Sequence, residues 1–355
     1  MPTLNKTTNA TKSVLKWLGI IIGSIFLLIM LFRMGRGIKE YFWPTPPPPP
    51  TVSFGKLPAI VFPDAPIKET FTYALETVTG NFPYFPDRGT VFQILPVSPN
   101  LLNADRAKEK VIAVGFVNEN NDPLPEKKIG PTTYQWEDSS SLHRILTMDI
   151  DSFNFTLTSS YLTSEEVLAR SNLPQETKAI ATAQNFVNEL GLFATDIDPV
   201  KTTSTLLTLK DGSVSPATSF STANLIKVNF FQKDANSLSI VYPYPPYSLI
   251  SLLVASSSQE GGQIVDAKYV HRNVTSSSAT YPIKTASLAY DELQKGKAYI
   301  ASFNGSGKDI IIRTISLAYF IGDGQQNFLL PVIVFEGDDN FLAYVSAVSD
   351  SWISK

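Results

Sequence analysis

The chain contains no cysteine. That removes a disulfide framework, a thiolate nucleophile and any cysteine-held metal or cluster. Histidine is nearly as scarce, with only His143 and His271. Neither an H-x-x-x-H nor an H-E-x-x-H zinc pattern can be built from them. No G-x-S-x-G elbow and no G-x-x-x-x-G-K-[ST] phosphate loop occurs. Charge is sparse as well: charged residues are 17% of the chain, against roughly 25% in average soluble proteins. Formal charge is −3, the pI is about 5.6, and no basic stripe stands out, which argues against a nucleic-acid partner. Neither a cofactor nor a metal is expected.

What the sequence does contain begins with an apolar run. Trp17 to Phe32 is 16 residues without a charge, about 24 Å of helix at 1.5 Å per residue. Val14, Leu15 and Met34 extend it, and Lys16 and Arg33 can snorkel to the headgroups on their long stems. Trp17, Tyr41, Phe42 and Trp43 are placed as interface anchors. A cleaved signal peptide shares the basic start and apolar centre. Against cleavage, Arg33, Arg36 and Lys39 follow directly, and no A-x-A-like site is present. The reading is a membrane anchor over 14–34 behind a tail at 1–13. Basic residues flank both ends almost equally, so the positive-inside rule is close to a tie. The Ser/Thr/Asn- and aromatic-rich composition beyond Pro50 places the large C-terminal part outside, in a bacterial envelope.

A basic collar and proline-rich stalk follow over 35–55. The prolines from Pro44 to Pro50 fix φ and remove donors, favouring polyproline II and roughly 20 Å of spacer. Prolines continue through Pro58, Pro63 and Pro66, so Thr51 to Pro66 reads as an extended arm laying aromatic residues on the first module.

The remaining chain, 43% hydrophobic overall, reads as α+β in about three helix-plus-antiparallel-sheet modules, at 56–160, 161–280 and 281–355. The first carries an alternating strand at Phe71–Val78, a second strand at Thr90–Pro96, a helix near Leu101–Phe116, and strands at Thr132–Trp136 and Ile145–Thr158. The second has a helix over Pro174–Leu190 stopped by Gly191. Strands follow near Lys201–Lys210, Ala223–Gln232, Ser237–Tyr242 and Ile264–Val270. The third opens on a helix, Ile283–Gly296, with Ile283, Ala286, Leu288, Ala289 and Leu293 facing inward. Strands then run over Lys297–Phe303, Asp309–Ile321, Phe328–Glu336 and Phe341–Val348, with a hairpin turn at Gly337-Asp338-Asp339-Asn340. Pro331 cannot donate to a ladder, so it is expected to lie in an edge strand or to begin a strand, and that edge is where a partner strand could add.

This last module carries a resemblance. The helix at Ala286–Gly296, the strand Ile311–Tyr319, the run Leu329-x-Pro331-Val332-x-x-Phe335-x-Gly337 and Ala343-Tyr344-Val345-x-Ala347-Val348 together resemble the PepSY-like group, closest to its YycH/YycI-type regulatory members. The likeness covers about the last 75 residues. It implies helix-plus-sheet modules outside the membrane, a single-pass anchor and regulation through protein–protein contacts, with no catalytic residues.

Candidate chemistry is limited. A lone histidine is ordinarily a packing or surface residue. Asp149 and Asp151 sit two apart on an expected strand, hence on one face, and Asp196 and Asp198 share that spacing in a loop. Paired carboxylates suit glycoside hydrolysis or a calcium site, and the Asp338-Asp339-Asn340 turn suits a weak calcium site. The alternative for each is a solvated turn or strand face. The aromatic loop with Tyr242, Tyr244 and Tyr247, and a second with Phe82, Tyr84 and Phe85, offer a sugar- or peptide-binding surface or simply pack. The candidate binding surface is therefore Tyr242, Tyr244, Tyr247 and Pro331. The expected function is a membrane-anchored binding or regulatory protein with an envelope protein or peptide as partner, and no enzyme. The alternatives are a glycan-acting enzyme using paired carboxylates and a purely structural surface protein. Carboxylates about 5–10 Å apart in a deep cleft favour the enzyme; shallow grooves and open sheet edges favour binding.

Overall fold

The computed structural model describes residues 17–18, 21–34, 49–64, 67, 69–169, 173–257 and 262–354. They fall into two units that divide at Pro49 and Pro50. In the first unit, residues 21–34 are helical with exposed side chains. Among the described residues no helix is long and apolar enough to cross a membrane. The tail at 1–13, the basic collar and most of the proline stalk lie outside the described residues.

The second unit is mixed α/β and dominated by sheet. Its strands, numbered along the chain, form two sheets. Sheet A has the path β1 (Thr72–Leu75), β15 (Asp309–Phe320), β16 (Phe328–Gly337), β17 (Phe341–Ser346), β14 (Tyr299–Ser302). Short β10 (Ile240–Val241) joins β15, while β2 (Arg88–Ile94) bridges β16 to β13 (Val274–Pro282). Sheet B runs β3 (Lys127–Lys128), β4 (Thr133–Glu137), β5 (Ile145–Asp149), β6 (Phe155–Thr158), β12 (Gln263–Tyr269), β11 (Ile250–Ala255), β9 (Leu225–Gln232), β7 (Ile197–Lys210), β8 (Ser213–Pro216).

This arrangement corrects the three-module division. A boundary at 160/161 cuts sheet B, because β6 pairs with β12. Likewise β1 and β2, assigned to the first module, belong to sheet A. Sheet A is not purely antiparallel either: β1 and β10 both pair parallel with β15. The proline-dense arm lies on sheet A too, not on a first module. Phe62 stacks on Tyr299 with ring centroids 5.1 Å apart, and Phe54 meets Phe328 at 5.1 Å.

The helices form where the apolar spacing has a helical period. In α1 (Asn103–Ala113) Ala107 and Val111 are buried; in α3 (Glu176–Glu189), which follows the single turn α2 (Glu165–Leu168), Ala179, Ala183, Phe186 and Val187 are. Both α1 and α3 pack on one face of sheet B around Phe155, Val228, Phe230 and Leu252. Gly191 ends α3 with φ +63°, a conformation that costs glycine nothing. Helix α4 (Ala286–Gln294) starts where Thr285 accepts the Leu288 N–H at 3.2 Å, and it buries Ala286, Ala289, Tyr290 and Leu293 against sheet A. Leu288, expected inside, is 48% exposed. At 100° per residue it lies opposite that stripe, and Tyr290 takes the inward place.

Sheet A is buried on both faces, by α4 on one side and by Ile60 and Phe62 of the arm on the other. This explains the unbroken apolar run of β16: a strand covered on both faces has no polar side to show.

Pro331 lies in this central strand, buried, not at an edge. Its position avoids the usual penalty. Pro331 faces the side where β16 changes partner, from β2 at Phe328–Leu329 to β17 from Val332 onward. Its carbonyl accepts the Ala347 N–H at 3.0 Å, and the Ala347 carbonyl, which a normal residue here would engage, instead accepts the Lys284 N–H at 2.7 Å. No acceptor is left waiting for the missing donor. The edge proposed for strand addition is therefore closed.

Candidate functional site

Where the chain crosses between the sheets a cleft of about 670 Å³ opens. One wall comes from sheet B and its loops: Asp151, Ser152, Leu192, Phe193, Tyr269 and His271. The other comes from sheet A: Leu95, Pro96 and Val97 after β2, and Gln325 to Asn327 before β16. Two main-chain bonds build that wall, from Leu95 N–H to the Asn273 carbonyl at 2.8 Å and from Ile94 N–H to the Asn327 carbonyl at 2.9 Å. Leu95 and Val97 remain 52% exposed at its mouth.

A polar cluster holds the β12–β13 crossing in place. Asp196 contacts the His271 Nε2 at 2.8 Å and accepts the Gln232 side-chain amide at 2.8 Å. That amide also donates to the Arg272 carbonyl at 2.9 Å. His271 N–H donates to the Asn154 side chain. Arg272 Nη2 donates to the carbonyls of Asp323 and Gly324, at 3.1 and 2.5 Å, tying sheet B to the β15–β16 turn. Its Nε is buried and has no hydrogen-bond partner among the described residues. Burial pulls the guanidinium below its usual range, an effect that Asp323 and Asp149 offset in part.

The predicted residues scatter. Tyr242 is 6% exposed, and its hydroxyl accepts the Gln232 main-chain N–H at 3.1 Å. Burial pushes that phenol up to about 12. It is a support under the cleft, not a surface. Tyr244 is 40% exposed, and Tyr247 is half-buried with the Lys227 ammonium 3.8 Å from its ring centre. Their loop is pinned from below, where the Tyr299 and Tyr344 hydroxyls donate to the Pro243 and Tyr242 carbonyls. Phe82 packs on Tyr290 of α4, so the two aromatic loops sit on different elements. Tyr84 stands 92% exposed.

The carboxylate pairs separate too. Asp149 ends β5 and Asp151 lies in the turn after it, so they do not share a strand face. Asp149 accepts from Thr132, the Ser152 N–H and the Ser152 hydroxyl; Asp151 accepts the Asn103 amide at 3.0 Å. Asp198 lies in β7, not in a loop, and accepts the Val200 N–H. Asp338 is held by the Arg313 guanidinium at 2.9 and 2.7 Å. Of the histidines, His271 lines the cleft, while exposed His143 lies in the β4–β5 loop. Leu95, Val97, Phe193, Arg272 and Asn327 were not singled out from sequence. The available signal was a short proline-broken apolar stretch, Leu95 to Val97, just after β2.

Asp138, Asp149 and Asp196 share one electrostatic property. Burial by itself raises each carboxyl, but hydrogen bonds from Arg144 and Ser140, from Thr132 and Ser152, and from His271 and Gln232 respectively outweigh it, so all three sit below the usual range. A depressed folded pKa stabilises above the unfolded value, about 3.9, and that stability is lost as pH falls through the folded values. The urea midpoint is therefore expected to drop steeply below about pH 4, and an Asp149→Asn/Asp196→Asn double variant should flatten part of that slope. A variant with the wild-type slope contradicts the assignment.

No family model and no curated protein matches the chain. The solved structures it is similar to include two at low identity. An uncharacterized protein from Eubacterium rectale is 13% identical with a TM-score of 0.35, over 74% of this chain and 84% of that one. The Bacillus megaterium YpeB C-terminal domain is 11% identical with a TM-score of 0.32, over 68% and 92%.

Proposed function

We propose that this is a binding or regulatory protein, anchored by its N-terminal apolar segment and working outside the membrane. Its cleft takes an extended peptide segment of an envelope protein. The observation that carries this reading is the lining of the cleft. Apolar Leu95, Val97, Leu192 and Phe193 line it together with Asn273, Gln325 and Asn327, a mixture that suits a peptide's side chains and main chain together. Catalysis is disfavoured because each candidate carboxylate is engaged by neighbouring donors: Asp149 by Thr132 and Ser152, Asp151 by Asn103, Asp196 by Gln232 and His271, and Asp198 by the Val200 N–H. The Asp196–His271 pair has no hydroxyl nucleophile on the other ring nitrogen among the described residues.

The test uses the full-length protein in its membrane, with a photo-crosslinking residue at Val97. A single envelope protein is expected in the adduct, and Leu95→Asp should lower its yield at least about tenfold, the effect of losing roughly 1.4 kcal/mol. Equal yield in Leu95→Asp, or equal crosslinking from exposed Val200, which is not part of the cleft, overturns the proposal.

A further inference from the structure

The cleft between the sheets carries one carboxylate that no cation answers. Asp151 stands half-buried in the turn between β5 and β6 and lines the sheet B wall. Its Oδ1 accepts the Asn103 side-chain amide at 3.0 Å, which leaves most of the acceptor capacity of a carboxylate open. Asn103 is 4% exposed at the start of α1, so a buried group holds Asp151 from beneath. The turn itself is braced. Asp149 accepts the Ser152 N–H and hydroxyl at 2.8 and 2.7 Å, and the Phe153 N–H donates to the Asp149 carbonyl at 2.7 Å. Among the described residues no Lys, Arg or His pairs with Asp151. Nearby carboxylates differ: Asp196 has His271 and Asp323 has Lys268. Arg272, the lining residue with a permanent positive charge, is committed to the β15–β16 turn. Its Nη2 donates to the Asp323 and Gly324 carbonyls, its Nε is buried, and Asp323 and Asp149 offset its charge.

We propose that Asp151 selects the occupant of the cleft: a peptide that presents a lysine or arginine side chain to it, among apolar neighbours. This rests on the peptide reading of the cleft and names the kind of segment that enters. A carboxylate of fixed position with unused lone pairs takes an ammonium or guanidinium through charge-assisted hydrogen bonds, the strongest that a peptide side chain can offer. An acidic side chain is repelled at the same point. Because Asp151 is half-buried, the pair is screened less than one on open surface. The rest of its wall includes apolar Leu192 and Phe193, and the opposite wall carries Leu95 and Val97. Successive side chains of an extended peptide point to opposite walls. Those on the Asp151 side therefore combine one cation with apolar neighbours two residues away, while those between meet Leu95 and Val97. The long stem of lysine or arginine suits such a wall, since its methylenes lie along apolar surface while the charge reaches the carboxylate.

A random nonapeptide library displayed on phage tests this, selected on the full-length protein in lipid nanodiscs and counter-selected on its Leu95→Asp variant. Enriched sequences are expected to share a lysine or arginine between apolar residues. Selection on Asp151→Asn should lose that basic position and keep the apolar ones. A selected peptide is then made with its basic residue kept or replaced by norleucine, N-acetylated in both so that only the side chain carries the charge. The norleucine form should bind the wild type about tenfold more weakly, the worth of one charge-assisted hydrogen bond, and the two forms should bind Asp151→Asn alike. Asparagine keeps an acceptor for Asn103; should it still lower the thermal midpoint, the norleucine comparison on the unaltered protein decides. Leu95-dependent peptides without a basic residue, or equal binding of both forms to the wild type, overturn this inference and leave the peptide reading standing. No peptide enriched over Leu95→Asp overturns the peptide reading and this inference with it.

Discussion

Asp138→Ala is expected to lower the stability of the sheet-rich unit by about 3–5 kcal/mol, the range for removing one partner of a buried charge pair. Asp138 closes the loop between β4 and β5 and is 6% exposed. Its carboxylate accepts four bonds: the Arg144 Nε at 2.6 Å, the Arg144 N–H at 2.8 Å, the Ser140 hydroxyl at 2.8 Å and the Ser140 N–H at 3.2 Å. Alanine leaves two loop amides and a half-buried guanidinium without that acceptor. The guanidinium also lies 5.0 Å from the Phe116 ring centre, so its displacement loosens the end of α1 as well as the hairpin. Asp138→Asn keeps the shape and part of the bonding, and should cost about half as much. Urea unfolding at neutral pH measures both. A loss below about 1 kcal/mol for alanine would show that water replaces the carboxylate, contrary to its burial.

That loop illustrates what sequence patterning shows and what it hides. The strands on either side were legible in part: Thr132–Trp136 matches β4 to within a residue, whereas Ile145–Thr158, read as one strand, is folded into the hairpin β5–β6. The role of Asp138 was not, since nothing marks an aspartate as buried before its partner six residues on is folded against it. The same limit applies to the sheets. Helices α1, α3 and α4 announce themselves by local period and following glycines, and α4 also by its Thr285 cap. Pairings such as Thr72 with Asp309, or Phe155 with Tyr269, join distant segments by main-chain bonds that carry no residue code. Strand β11 was overlooked because Ile250–Ala255 is nearly continuous in apolar character, buried on both faces. Strand β13, rich in serine and threonine, reads as loop and is a strand only because β2 lies beside it.

The cleft shares that origin. It is assembled from single residues on elements far apart in the chain. Tyr242, Tyr244 and Tyr247 stood out in the sequence because they cluster locally, and local clustering here reports how a rigid loop is pinned.

Lys284→Ala is expected to cost about 3–5 kcal/mol as well, through a different part of the molecule. Lys284 precedes α4, its side chain is 5% exposed, and its ammonium lies 2.9 Å from Glu292 and 2.8 Å from Asp350. Glu292 is 13% exposed and loses its counter-charge in a place water reaches poorly; Asp350 is 77% exposed and can rehydrate. Most of the cost therefore comes from Glu292. The Lys284 main-chain N–H, which occupies the Ala347 carbonyl opposite Pro331, is unchanged by the substitution, so the β16–β17 ladder should survive. The segment after Asp350 should loosen, because Leu57 of the arm bonds to the Trp352 carbonyl and accepts from Ser354 just beyond it. Hydrogen exchange should show lost protection at Leu57 and Ser354 with β16 and β17 still protected. Replacing both partners, as Lys284→Met/Glu292→Leu, removes the stranded charge and should recover most of the stability. A double variant no more stable than Lys284→Ala would mean that the ammonium's contact with Asp350, and not the desolvated Glu292, holds this corner together.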